Sequence, residues 1–176
     1  IDRRAGRLPT QESRKLVEIL REIKVDGVEI FLETVKEHRF ALILRGEGLG
    51  SNVSETDPLL AGKSPIKLIA HDVSSQKTAD IVNQLVEKAQ RVLASEKLAN
   101  MILLRGFAKL PSVPSFMEMY QLNATCIAVN GMYRGVSRLA GMHIQEVNGY
   151  SLADEFSTLE KVWQDFDFFY LHFKKT

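Results

Sequence analysis

The side chains best placed for chemistry are arginines at expected strand ends and turns. Asp2-Arg3-Arg4-Ala5-Gly6-Arg7 packs three guanidinium groups into five positions. Arg45 closes the apolar run Phe40–Leu44 just before Gly46, and Arg105 closes Met101–Leu104 just before Gly106. Arg134 follows Asn130-Gly131 in the first turns of an expected helix. A guanidinium offers a planar fork of N–H donors that meets phosphate or carboxylate oxygens two at a time. Strand ends followed by glycine are where α/β proteins place ligand contacts. Solvated surface arginines or simple Arg–carboxylate pairs account for many single cases, but the recurrence points to a grip for a small phosphorylated, carboxylated molecule.

Other chemistries lack their context. Gly46-Glu47-Gly48-Leu49-Gly50 follows a strand, yet its third glycine comes one position early for a dinucleotide loop, and residues 52–58 do not read as helix. Gly135-Val136-Ser137-Arg138-Leu139 lacks the closing glycine of a nucleophile elbow and lies inside an expected helix. His38, His71, His143 and His172 are scattered, with no pair at metal-ligand spacing. Cys126, inside the apolar run Thr125–Val129, reads as a core residue. No catalytic or metal-ligating residue set is therefore expected in the chain itself.

Composition narrows the partners. The chain has 176 residues, 23 Lys+Arg against 22 Asp+Glu, and one Cys. A net charge of +1 argues against nucleic acid as partner and against a charged disordered tail. One cysteine makes neither an intrachain disulfide nor a cysteine-based zinc site, so a reducing, cytoplasmic setting is expected. The apolar runs fall far short of the ~20 residues that span a bilayer, so no membrane partner is expected.

Two kinds of segment must position the arginines. In residues 1–98, Thr10 is expected to cap a helix over Gln11–Ile23, and Asp26-Gly27 to turn into a hairpin of Val28–Val35 with Phe40–Leu44. Gly46–Pro65 is a long polar loop, Ile66–Ala70 a short strand or turn, and Lys77–Ala94 an amphipathic helix. In residues 99–176, Met101–Leu104 reads as a buried strand before a loop holding Pro111 and Pro114. Strand Thr125–Val129, helix Gly131–Ala140, strand His143–Val147, helix Leu152–Gln164 and strand Asp167–Phe173 then alternate as in a parallel, helix-covered sheet. The expected class is α/β, with an α+β unit over 1–98 and part of a βαβ core over 99–176. A first residue Ile1 in place of Met, and an ending at Lys174-Lys175-Thr176 directly after an apolar strand, suggest a piece of a longer chain.

The same motifs resemble the archaeal-type cofactor-independent (2,3-bisphosphoglycerate-independent) phosphoglycerate mutases of the alkaline phosphatase superfamily. The matching stretches are DRRAGR (Asp2–Arg7), LRGEGLGSNVSETDP (Leu44–Pro58), Lys77–Asn83, Ala99–Gly106, Pro114–Ala128, Arg134–Met142 and the DFFYLHFKKT end. The resemblance implies interconversion of 3-phosphoglycerate and 2-phosphoglycerate through a metal-bound phosphoserine. It implies a substrate-binding domain (1–98) inserted into a phosphatase-like core, of which 99–176 is the exit and a part. The nucleophilic serine and the ligands of two divalent metal ions (Mn, Mg, Zn or Co) are then expected outside this chain, which alone is expected to be inactive and to bind no cofactor. The substrate-binding residues implied are Arg3, Arg4, Arg7, Arg45, Asp57, Arg105 and Arg134. Arg134 stands where many relatives carry a lysine, which keeps the charge and changes the donor geometry. The competing readings are a non-catalytic module that binds a phosphorylated metabolite, and another mutase of the same superfamily.

Overall fold

Alternation of apolar and polar residues after Gly27 folds into an antiparallel pair, β1 (Glu29–Lys36) and β2 (Arg39–Arg45), with Phe31 opposite Ile43 and Glu29 opposite Arg45. The computed structural model describes residues 2–173, and the chain divides into two units, Ile1–Lys109 and Leu110–Thr176. In the first unit one face of the hairpin, carrying Val28, Ile30, Leu32, Phe40, Leu42 and Leu44, packs on the core. Helix α1 (Thr10–Arg21) adds Val17 and Leu20. Helix α2 (Gln76–Val92) adds Ala79, Ile81, Val82, Leu85 and Ala89, the three-and-four spacing that makes one apolar stripe.

Local details differ from the sequence-based expectation for identifiable reasons. Thr10 is the first helical residue and does not cap α1; its Oγ1 accepts the Glu37 N–H at 2.9 Å, tying the helix start to the β1–β2 turn. Ile66–Ala70 forms only a single bridge, Ala70 to Val53. Met101–Leu104 is not a strand. Ile102 and Leu104 are buried in the core of the first unit, and Leu104 is held by Thr56, through one backbone hydrogen bond and the Thr56 hydroxyl, without a continued ladder. These residues belong to the first compact unit, Ile1–Lys109.

In the second unit β3 (Ala124–Ala128) is buried at every position and pairs in parallel with β4 (His143–Ile144) on one side and β5 (Phe168–His172) on the other. Strands buried on both faces read as continuous apolar runs, which Ala-Thr-Cys-Ile-Ala does. Helix α4 (Gly131–Leu139) links β3 to β4, and α5 (Leu152–Val162) links β4 to β5. Asn130 caps α4 by accepting the Met132 N–H at 3.1 Å, and Ser151 with Asp154 forms a capping box on α5. A further short helix, α3 (Phe116–Tyr120), with a Ser115–Glu118 capping box, replaces part of the proline loop. The fold class is α/β as expected. Lys174-Lys175-Thr176 lie outside the described residues.

Candidate functional site

The first unit brings Arg3, Asp57 and Arg105 together. Arg3 donates through Nε to Asp57 Oδ1 and through Nη2 to Oδ2, both at 2.6 Å, and the Leu59 N–H donates to Oδ1 at 2.9 Å. The Asp57 side chain is 6% exposed and that of Arg3 24%, so the pair lies at the edge of the protein with the carboxylate inside. The Arg3 fork holds the Asp57 carboxyl below its ordinary value, against the opposing effect of burial, and Asp57 raises Arg3 in return. Arg105 adds its positive charge to the same carboxylate.

Backbone pairing explains this convergence. The Thr56 N–H donates to the Leu104 carbonyl at 2.9 Å, and the Leu104 N–H donates to Thr56 Oγ1 at 2.7 Å. Residues 56–57 and 104–105 therefore run side by side, which carries Arg105 to Asp57. Gly106 follows at φ +71°, in the left-handed region open to glycine, and its N–H donates to Glu55 Oε1 at 3.1 Å.

Arg4 and Arg7 stand exposed on a tight turn in which Ala5, Gly6 and Arg7 all have positive φ, 46°, 62° and 57°. A left-handed backbone costs about 1–2 kcal/mol at each non-glycine residue. Asp2 holds the turn: its Oδ1 accepts the Arg4 N–H at 2.9 Å and its Oδ2 the Gly6 N–H at 2.6 Å, which hold its carboxyl below the ordinary value. The charges of Arg4 and Arg7 reach His38 in the β1–β2 turn. Burial first, then Arg39, Arg4 and Arg7, keep that imidazole below its ordinary value, against the opposing charge of Glu37. Sequence reasoning left His38 among the scattered histidines. Its signal was the adjoining Arg39 in a hairpin turn, which says nothing of Arg4 and Arg7 until the chain is folded.

Arg45 is not drawn into this cluster. Its guanidinium lies 3.6 Å from Glu29 and 4.8 Å above the Phe31 ring, on the exposed face of the hairpin. It sits at the far end of β2 from Arg39, about 20 Å away at the usual ~3.3 Å rise per residue. Arg134 belongs to the second unit, where it pairs with Glu146. The donors around Arg3 and Arg105 are cationic N–H groups, which suit an anion. Among the described residues no three His, Cys, Asp or Glu side chains converge as metal ligands would. No helix among them is long and apolar enough to cross a membrane.

Comparison with known proteins gives this arrangement a context. The family model described as 2,3-bisphosphoglycerate-independent phosphoglycerate mutase matches residues 1–99. A probable 2,3-bisphosphoglycerate-independent phosphoglycerate mutase of Thermotoga maritima is 46% identical over 178 residues, covering 100% of this chain and 44% of that protein. The corresponding protein of Aquifex aeolicus is 39% identical, over 100% of this chain and 45% of its own length. The solved structure of the cofactor-independent phosphoglycerate mutase from Thermoplasma acidophilum superposes with a TM-score of 0.77 at 25% identity, over 99% of this chain and 51% of that one. The chain thus spans less than half the length of these curated relatives.

Proposed function

The chain belongs to the 2,3-bisphosphoglycerate-independent phosphoglycerate mutase family, and from that premise we propose that it supplies the substrate grip of an enzyme interconverting 3-phosphoglycerate and 2-phosphoglycerate. The observation that carries this reading is the convergence of Arg3, Asp57 and Arg105, with Arg4 and Arg7 exposed on the turn beside Arg3.

Asp57 does not compete with an anionic ligand so much as prepare for it. It occupies Nε and Nη2 of Arg3 and fixes the plane of the guanidinium, so that Nη1, which meets no acceptor among the described residues, is held in a set direction for an incoming oxygen. Oriented donors need no reorganisation when charge arrives. The substrate carries a charge of roughly −3, of which its phosphate supplies about −1.5 to −2 at neutral pH. Arg4, Arg7 and Arg105 match that demand; Arg45, on the exposed face of the hairpin, and Arg134, in the second unit, are proposed each by itself as a further anion contact. Held this way, the glycerate stays in place while its phosphoryl group resides on a serine, so that transfer back outruns hydrolysis.

The described residues do not fit the two divalent metal ions of this reading (Mn, Mg, Zn or Co), because no three ligating side chains converge among them. The ions and the serine are assigned to the remainder of the enzyme, and this chain alone to binding without turnover. A cytoplasmic setting is part of the same proposal, supported by the single, buried cysteine.

The test is calorimetric binding of 3-phosphoglycerate to the full-length enzyme. Arg105→Ala weakens the dissociation constant tenfold or more, since a hydrogen bond to a charged group is worth ~1.5–3 kcal/mol. Arg45→Ala has a smaller effect, because Glu29 already engages that guanidinium. Unchanged affinity in both variants overturns the assignment.

A further inference from the structure

Glu55 is an acid beside an anion grip, and the phosphoglycerate reading gives it no part. Its negative charge acts on Arg3, as that of Asp57 does. A carboxylate at this place repels the ligand that Arg3, Arg4, Arg7 and Arg105 are proposed to attract, so its presence calls for a reason. The hydrogen bonding supplies one. Glu55 Oε1 accepts the N–H of Gly106 at 3.1 Å, one residue past Arg105.

Peptide units are planar, so each residue has two soft backbone torsions, one toward each flanking plane. Around Arg105 both planes are held. The 104–105 plane carries the Leu104 carbonyl, which accepts the Thr56 N–H at 2.9 Å and the Thr56 hydroxyl at 3.3 Å. Thr56 is 1% exposed, and its Oγ1 also accepts the Leu104 N–H at 2.7 Å, so this first anchor is buried and bonded several times over. The 105–106 plane carries the Gly106 N–H, and its anchor is Glu55. Gly106 lies at φ +71°, and a residue without Cβ turns freely. Phe107 packs against the core beyond it, but the glycine between them leaves the 105–106 plane unfixed from that side.

We propose that Glu55 is a positioning residue for Arg105: by holding the Gly106 N–H it sets the second plane and, with Thr56 setting the first, the direction in which the Arg105 side chain leaves the backbone. This rests on the assignment of Arg105 to the substrate-binding set. Either anchor alone leaves the Cα–Cβ bond of Arg105 free to swing about its N–Cα bond. With both in place the side chain starts from one direction, and its charge reaches the Asp57 carboxylate that Arg3 holds. Order imposed before the ligand arrives is order that binding need not supply. That gain outweighs the repulsion from the Glu55 carboxylate, which salt screens at the protein surface. The same bond accounts for the Arg-Gly pair at this junction: a left-handed residue after Arg105 aims its N–H at Glu55.

Calorimetric binding of 3-phosphoglycerate to the full-length enzyme separates the two properties of this carboxyl, its charge and its acceptor oxygen. Glutamine keeps the acceptor and drops the charge, whereas alanine drops both. Glu55→Gln is expected to bind at least as tightly as wild type, and Glu55→Ala about fivefold more weakly, within the usual range of coupling between residues in contact. Arg105→Ala is expected to weaken binding about tenfold in the wild-type and Glu55→Gln backgrounds but no more than about twofold beside Glu55→Ala. Equal affinities of Glu55→Ala and Glu55→Gln, or a full Arg105→Ala effect beside Glu55→Ala, overturns the proposal. If Arg105→Ala leaves the wild-type affinity unchanged, the assignment of Arg105 to the grip has failed, and this inference falls with it. Should Glu55→Ala not fold, Glu55→Leu fills the space without an acceptor. Full retention of the Arg105 effect there overturns the proposal equally.

Discussion

Asp57 keeps its negative charge almost out of water because Arg3 meets both of its oxygens and the Leu59 N–H reinforces one of them. Removing the charge while keeping the shape, in Asp57→Asn, strands the Arg3 guanidinium beside a neutral amide that offers it one acceptor in place of two. The folded state holds the Asp57 carboxyl below its ordinary value of 3.8, so the native chain binds fewer protons than the unfolded one as that range is crossed. The resulting stability is present above about pH 4 and disappears as pH falls through the lower, folded-state value. Urea unfolding of wild type and Asp57→Asn at pH 7, 5 and 3 should show a gap in midpoint at the two higher values that narrows at pH 3. A gap of equal size at all three would mean that the variant acts through shape and not through the ion pair.

Among the elements, the loop after β2 is irregular and tied to the start of α2 by side-chain hydrogen bonds. The Gly50 N–H donates to Thr78 Oγ1 at 2.9 Å, the Thr78 hydroxyl donates back to the Gly50 carbonyl at 2.8 Å, and the Asn52 N–H donates to Ser75 Oγ at 3.1 Å. A Cβ on Gly50 would stand 2.6 Å from Ser75 Cα and 2.7 Å from the Ser74 carbonyl oxygen, both backbone atoms that cannot swing away. Gly50→Ala is therefore expected to lower stability by about 1–3 kcal/mol, as overpacking does, and to be read as a drop in thermal midpoint. An unchanged midpoint would show that the loop separates from α2 without loss. This glycine was legible in the sequence only as a false hint of a dinucleotide loop, since its role comes from the start of α2, more than twenty residues on. The periodic elements α1, α2, β1 and β2 were readable because burial of one face leaves its period in the residues. Met101–Leu104 was misread as a strand because an apolar run marks a place in the core, whatever its backbone pairs with. Of the candidate site, the arginine types were legible. The pairing of Arg3 with Asp57 and the nearness of His38 to Arg4 and Arg7 were not, because they depend on contacts between distant segments.

At the scale of the whole chain, the question is where the first folding unit ends. Its core draws on residues from Val17 to Leu104, and Ile102 and Leu104 are 5% and 6% exposed within it. Burying two such side chains contributes about 1.5–3 kcal/mol each, a large part of the ~5–15 kcal/mol that stabilises an ordinary domain. Leu104 also satisfies Thr56 from both directions, so its loss would leave the Thr56 N–H and hydroxyl without their partners beside Asp57. A chain ending at Lys109 is therefore expected to unfold in one cooperative transition. A chain ending at residue 98 should lose 3 kcal/mol or more by the same burial estimate, a fall of ~1 M or more in urea midpoint at the usual ~1–3 kcal/mol per molar. Equal midpoints would mean that 99–109 only rests on the unit and that the domain closes at 98. A fall of the expected size would tie Arg105 to the same folding unit as Arg3 and Asp57, making the integrity of the proposed anion grip inseparable from that of the first core.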